Sequence, residues 1–429
     1  MQEIKRKIFN YLYLILFLLL AFFIPLWKPL VPWIIGFITL FWFLEFDYKG
    51  KYRRLTRGAF RKYILSFGIF YLLHLIGLLY ASNTGNGLFK LEVKLSLIIF
   101  PLVISTMRIW IFNQRNVINI FVAFILGCLL GTLINLEVAV EKYLLTFNSE
   151  VFYYKYVSFF HHPGYFSMYL TMAVAILIFF LLKKDEYRLG AWHLISFTTL
   201  IIYFSFFIIL LSSKAGILSL MVVYFITIGY FVVLERRVVQ GIVLLAIIFT
   251  LFYTSLRIFP YSLGRIITSQ EVLESADNIE SSTTEGTGER ILIWSSAFEI
   301  IRGHFLLGVG TGDVEDHLLQ KYREYNIREA LRQHLNAHNQ YLQTFIGLGI
   351  FGFLVLMFML ILPAYYALKH QSFLYFIFLI IMAVNLLVES MFETQAGVVF
   401  YAFFNAFLFF NVKKTELGPG NHVNKKRRS

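Results

Sequence analysis

The stretch HLNAHNQYLQTFIGLGIFGFLVLMFMLIL, residues 334–362, changes character in its middle. Up to Gln340 it is polar and carries His334, His338, Asn336 and Asn339; from Tyr341 to Leu362 it holds no charged residue. About twenty apolar residues, each rising about 1.5 Å in a helix, cross a hydrocarbon core about 30 Å thick. The second half therefore reads as a membrane-spanning helix, and the first half as a polar segment held at the membrane surface.

Working outward, runs of the same kind lie near 8–26, 30–46, 63–80, 89–107, 117–136, 163–182, 191–211, 215–234, 238–256, 372–390 and 397–412, which with 341–362 predicts twelve spans. In the fourth, Lys90, Glu92 and Lys94 crowd the start and Pro101 is expected to interrupt the helix. The first follows Lys5, Arg6 and Lys7 as a signal peptide would. It is too long for such a segment and no small-residue cleavage site follows, so an uncleaved span is expected. Composition agrees: 59% of the 429 residues are hydrophobic, 15% are charged and the mean hydropathy is +0.70, which a water-soluble domain does not show. The fold class predicted is an all-α polytopic membrane protein, one membrane domain over residues 1–429.

A net charge of +13 would point to nucleic acid in a soluble protein, so its placement matters. Basic loops resist translocation. If both termini face the cytoplasm, cytoplasmic segments hold 24 of the 38 Lys and Arg, short external segments hold 6, and one long external loop holds 8. That orientation is expected, with no nucleic-acid partner. The basic tail, residues 413–429, ends in Lys425 to Arg428; it either stops and orients the last span or meets anionic lipid headgroups. Cys128 is the single cysteine, which excludes an intramolecular disulfide and a cysteine metal site.

Residues 257–340 form the one extensive hydrophilic segment, and chemistry is sought there first. Its opening part, Gln270 to Gly288, is rich in Ser, Thr, Glu and Gly. Thr287 then can cap a helix whose apolar stripe is Ile291, Trp294, Phe298 and Ile301, with Arg290 at its start. Gly308, Gly310 and Gly312 allow a tight turn; such turns bind phosphate in some proteins and merely reverse the chain in most. A second helix is expected from Asp313 to about Arg332.

At the loop's end, His338 and Asn339 stand at headgroup depth, where a lipid diphosphate would sit. They serve equally as a helix cap on spacing alone. Three other places bring polar groups to the same surface. His161 and His162 precede Pro163 at the start of a span, and fit a cap as well as a site. Lys214 sits in a tight turn between two spans, where a snorkelling interfacial lysine is the plainer reading. Glu389 and Glu393, where the eleventh span reaches the outer surface, are costly at that depth unless paired, and can hold Arg290 or another basic side chain. His74, Asn135 and Asn385 read as satisfied interior groups.

Sugar transfer from a diphosphate needs cations for the leaving group and a base for the acceptor hydroxyl. Arg supplies the first with a planar fork; a neutral imidazole supplies the second. The aspartates are Asp47, Asp185, Asp277, Asp313 and Asp316, no two of them two apart, so no Asp-x-Asp metal motif exists. A metal-free mechanism without cofactors is expected, although glutamates remain possible ligands.

Taken in order, Arg290-Ile291-Leu292-Ile293-Trp294, Gly308-Val309-Gly310, His338-Asn339-Gln340-Tyr341-Leu342 and Gly347-Leu348-Gly349 resemble the bacterial O-antigen ligases and the related O-antigen polymerases, which have twelve spans and one large periplasmic loop. His162-Pro163 and Glu389 to Gly397 resemble members from the Bacteroidetes group. The resemblance implies an inner-membrane glycosyltransferase of lipopolysaccharide biosynthesis that moves a glycan from undecaprenyl diphosphate to lipid A-core oligosaccharide, inverting and independent of metal. It implies His338 as general base, Arg290, Lys214, Asn339 and His162 as diphosphate or substrate contacts, and Glu389, Glu393 and Trp294 as supports. The family usually has Ser-Arg-Gly where this chain has Ser213-Lys214-Ala215-Gly216, which keeps the charge and loses the fork. A polymerase using the same donor is the near alternative, and a transporter of lipid-linked glycan, surrounded by membrane lipids, the distant one.

Overall fold

The computed structural model describes residues 2–56, 58–107, 109–234 and 287–417, with a few positions between 236 and 253. Among the described residues every regular element is a helix. The first six are α1 (Gln2–Phe23), α2 (Val31–Leu44), α3 (Tyr48–Thr56), α4 (Gly58–Leu79), α5 (Thr84–Lys94) and α6 (Ser96–Thr106). Then come α7 (Gln114–Thr146), α8 (Pro163–Leu182), α9 (Ala191–Leu210), α10 (Lys214–Gly229) and α11 (Thr287–Gly303). The last five are α12 (Val314–Glu324), α13 (Arg328–Arg332), α14 (Gln340–Lys369), α15 (Phe373–Val388) and α16 (Gln395–Leu417).

Among the described residues seven helices are long and apolar enough to cross a membrane, eight if Lys28–Leu44 and the basic Tyr48–Thr56, bent by 105°, form one broken span. Two shorter apolar helices, Lys7–Phe23 and Phe373–Val388, and the α5–α6 pair occupy three more of the expected spans. The expected span 238–256, the loop's opening part and the tail beyond residue 417 lie largely or wholly outside the described residues. The protein is a multi-pass all-α membrane protein.

Between helices in lipid there is little hydrophobic gain, so cohesion comes from close packing and interhelical hydrogen bonds. Phenylalanines of α16, among them Phe400, Phe403, Phe404 and Phe407, are fully buried and pack edge-on or stacked with Phe17, Phe100, Phe121 and Phe124. Polar ties join neighbours: Trp42 to Thr106 Oγ1 at 2.7 Å, Tyr401 to the Met359 carbonyl at 2.9 Å, and Asn385 Nδ2 to Ser219 Oγ at 2.9 Å.

Three expectations shift. The fourth span breaks at Leu95, not at Pro101, which lies inside α6; the missing proline amide and its ring act on the turn before it. The face that α11 buries is Ile293, Ser296, Ala297 and Ile300 with Ile301, whereas Phe298 is exposed. Small Ser296 and Ala297 permit close approach to α14, and the bulky ring turns away. The charged stretch 313–332 is two helices, broken at Asn326, whose φ of 52° is left-handed.

The long loop is fastened to one end of the bundle. The Asp313 carboxylate accepts the amides of Ser82 and Asn83 at 2.7 Å each, and Thr311 donates to the His74 carbonyl at 2.7 Å. The Gly-rich run pairs with the middle of α14: the Val309 amide meets the Ile346 carbonyl at 2.8 Å and the Gly310 amide the Gly347 carbonyl at 3.0 Å. Those α14 carbonyls are free because the helix breaks at Gly349, whose φ of 62° and ψ of −160° only glycine adopts readily. A Cβ there would collide with the Leu306 carbonyl. The amides of Gly308, Val309, Gly310 and Thr311 are thus spent on the fold rather than turned toward a phosphate.

Candidate active site

The polar start of α14 builds the site. Asn339 Oδ1 accepts the amides of Tyr341 and Leu342 at 2.9 and 3.1 Å, so Asn339 is the N-cap. Just before it the chain turns through His338 with a left-handed φ of 44°. A non-glycine residue there costs about 1–2 kcal/mol and persists only where its surroundings enforce it. Asn336 Oδ1 accepts the His338 amide at 2.9 Å, and Gln343 Oε1 accepts the Ala337 amide at 3.1 Å. Trp294 Nε1, reaching over from α11, donates to the Ala337 carbonyl at 3.0 Å, and Ser390 Oγ accepts the Asn339 amide at 3.3 Å.

The turn aims the imidazole at Glu389, with Nδ1 at 3.0 and 3.2 Å from its two carboxylate oxygens. Burial alone would raise the Glu389 carboxyl, but the His338 hydrogen bond and the charges of His338 and Arg290 hold it below the usual carboxylate range. An ionised carboxylate can only accept, so Nδ1 carries the hydrogen of this contact, and a ring that holds only that proton has its lone pair on Nε2. Arg290 Nη2 lies 3.8 Å from Glu389 Oε2, with 33% of its side chain exposed, so Glu389 gathers a base and a cation at one point.

His162 caps α8, its Nδ1 accepting the Gly164 amide at 3.2 Å. Burial lowers its pKa, while the field of Glu389 raises it and those of Lys155, His338 and Arg290 lower it, which puts the ring beside the same group. Lys214 opens α10: the Asn385–Ser219 bond ties the second turn of α10 to the last turn of α15, which leads into Glu389, and Gly216 packs directly on Ser167 of α8. Glu393 is elsewhere. Four residues apart, Glu389 and Glu393 would share a helix face, but α15 ends at Val388, Glu389 is extended and Glu393 closes a short turn. Glu393 instead takes Lys90 at 3.0 Å and Lys94 at 2.9 Å. Burial opposes its charge, yet the two ammonium groups pull its pKa down to about 2.

Among the described residues no group of three or more His, Cys, Asp or Glu side chains offers a metal site. The site's chemistry is that of one oriented imidazole beside cations, at the membrane-surface end of a helical bundle. Residues 199–357 match the O-antigen ligase family. The O-antigen ligase match runs from α9 into α14 and contains Lys214, Arg290, Trp294, His338 and Asn339; it stops before Glu389 and begins after His162. It supports a membrane enzyme of O-antigen ligase or polymerase type, glycosyltransferase-like, with a lipid-linked glycan as substrate. No curated protein matches the chain.

Two features of the site and its surroundings escape the sequence. One is the His338–Glu389 pairing, since proximity to the surface marked Glu389 only as a partner for some basic group. The other is the pairing of Lys90 and Lys94 with Glu393; two lysines at a span's start were the one available signal.

Proposed function

We propose that the protein transfers a glycan from undecaprenyl diphosphate to lipid A-core oligosaccharide at the periplasmic face of the bacterial inner membrane, with both termini in the cytoplasm. The observation that carries the reading is the His338–Glu389–Arg290 group, 3.0 and 3.8 Å at its two contacts, with His338 and Arg290 on the long loop inside the family match and Glu389 outside both. His338 Nε2 takes the proton of the acceptor hydroxyl, and Glu389 stabilises the imidazolium that forms. The hydroxyl oxygen attacks the anomeric carbon from the face opposite the leaving diphosphate, so configuration inverts. Arg290 and Lys214 receive the charge that builds on the departing diphosphate, with His162 alongside, and no metal is required for that step.

Purified protein given a lipid-linked oligosaccharide and rough lipopolysaccharide should form long-chain lipopolysaccharide, and His338→Ala should insert normally and form none. Unchanged product from that variant would end the assignment of His338. A null strain separates the two family reactions: carrier-linked long chains accumulate if a ligase is lost, whereas single repeat units on core mark a lost polymerase.

A further inference from the structure

On the other side of the His338 turn lies a cavity of about 110 Å³ that the proposed transfer step does not use. Its polar wall includes Lys90 and Lys94 from α5, Glu315 from α12, Gln343 from α14, Glu393, and Asn336 of the turn itself. None of His338, Arg290, His162 or Lys214 lines it. The wall is fixed in place: Glu393 is clamped by both lysines, and Gln343 holds the Ala337 amide.

The charges choose the ligand. Lys90, Lys94, Glu315 and Glu393 line it with formal charges that cancel; both lysines meet Glu393, Glu315 meets the lining imidazole of His334 at 3.2 Å, and His74 completes the ionisable groups. A phosphate or diphosphate would require an excess of cations there, and a bound cation an excess of carboxylates. A ring of hydroxyls, each donating and accepting, requires what the wall has: ammonium and amide hydrogens interleaved with carboxylate and amide oxygens. Each lysine directs one contact at Glu393 and has three hydrogens to give. Leu318 and Leu348 supply apolar surface for the carbon face of such a ring. One water needs at least about 10–15 Å³ and takes about 30 Å³ in the liquid, so the space holds several hydroxyl-sized groups, enough for the polar edge of one sugar ring.

We propose that this cavity is a subsite for one pyranose ring of the acceptor glycan, an inference that rests on the transfer reading above. The donor's diphosphate belongs with Arg290, outside the cavity, which leaves the charge-balanced pocket to an uncharged ring of the acceptor. A ring seated there touches Asn336, whose Oδ1 holds the His338 amide, so acceptor binding and the base share one turn.

The test uses full-length protein in detergent micelles and saturation-transfer NMR with the methyl glycosides of glucose, galactose and N-acetylglucosamine, with inorganic phosphate as competitor. At least one glycoside should receive saturation from the wild type and equally from His338→Ala. The signal should fall about tenfold in Glu315→Leu and in Lys90→Met, each of which removes hydrogen-bonding capacity while Lys94 stays on Glu393. Phosphate should not displace it. In the transfer assay Glu315→Leu should raise the acceptor KM about tenfold with kcat and donor KM held within about threefold. No glycoside signal from the wild type, an undiminished signal in both folded variants, or displacement by phosphate would overturn the subsite. Glycoside binding that follows the expected pattern in a protein that transfers nothing would keep the cavity as a sugar site and overturn the transfer reading instead.

Discussion

Glu389 and Glu393 are four residues apart and face two unlike tasks. Glu393 is enclosed, its two oxygens divided between Lys90 and Lys94 at 3.0 and 2.9 Å, and its carboxyl sits near pKa 2. Glu389 meets an imidazole at 3.0 Å and a partly exposed guanidinium at a loose 3.8 Å. A carboxylate with two close ammonium partners is committed to holding helices together. One that shares its charge between an oriented ring and a distant cation still has electrostatic capacity for a substrate. On the proposed function, the same residue type, at the same end of the bundle, is structural in the first setting and chemical in the second because of what faces it.

The comparison breaks most visibly at Glu393. Glu393→Ala leaves two lysines without their counter-charge, one of them almost wholly buried, and should cost about 3–5 kcal/mol, seen as a collapse in the folded fraction on size-exclusion and thermal unfolding in detergent. Glu389→Gln should do the reverse: folding is retained, while transfer falls about 10²–10⁴-fold, because the ring loses the carboxylate that sets its tautomer and stabilises its cation. If Glu389→Gln unfolded the protein and Glu393→Ala only slowed it, the two roles would have to be exchanged.

Acid sharpens the same contrast. A carboxyl whose folded pKa is depressed contributes stability that is fully present above its ordinary value of 4.5 and is lost as pH falls toward about 2. The stability gap between wild type and Glu393→Gln should therefore stay level from pH 7 to 4.5 and close below that, measured by thermal unfolding across pH. The smallest effect belongs to Trp294→Phe, which removes the indole donor to the Ala337 carbonyl; about 1 kcal/mol of support for the His338 turn should appear as a fall of about fivefold in kcat/KM.

The twelve apolar runs, the polar loop before Tyr341 and the gathering of basic groups in alternate loops are local properties of the chain, and eleven of the expected spans stand as helices in the described residues. Local rules also gave the Asn339 and His162 caps as an open alternative, and both residues do cap their helices. They missed the face of α11, because a helical period fixes which residues align but not which side a neighbour presents.

The alphabet of the site, then, was already legible: His338, Arg290, Glu389 and Glu393 could each be picked out as polar groups set where hydrocarbon ends. One pairing was offered, Arg290 with these glutamates, and Arg290 does stand 3.8 Å from Glu389; the other pairs could not be read. His338 and Glu389 are 51 residues apart and Lys94 and Glu393 are 299 apart. Hydropathy is summed over neighbours in the chain, whereas ion pairs and hydrogen bonds depend on distances of a few ångströms that only the packed helices set. The sequence determined that charges would collect at the membrane surface; the packing decided which carboxylate holds the bundle and which one faces the base.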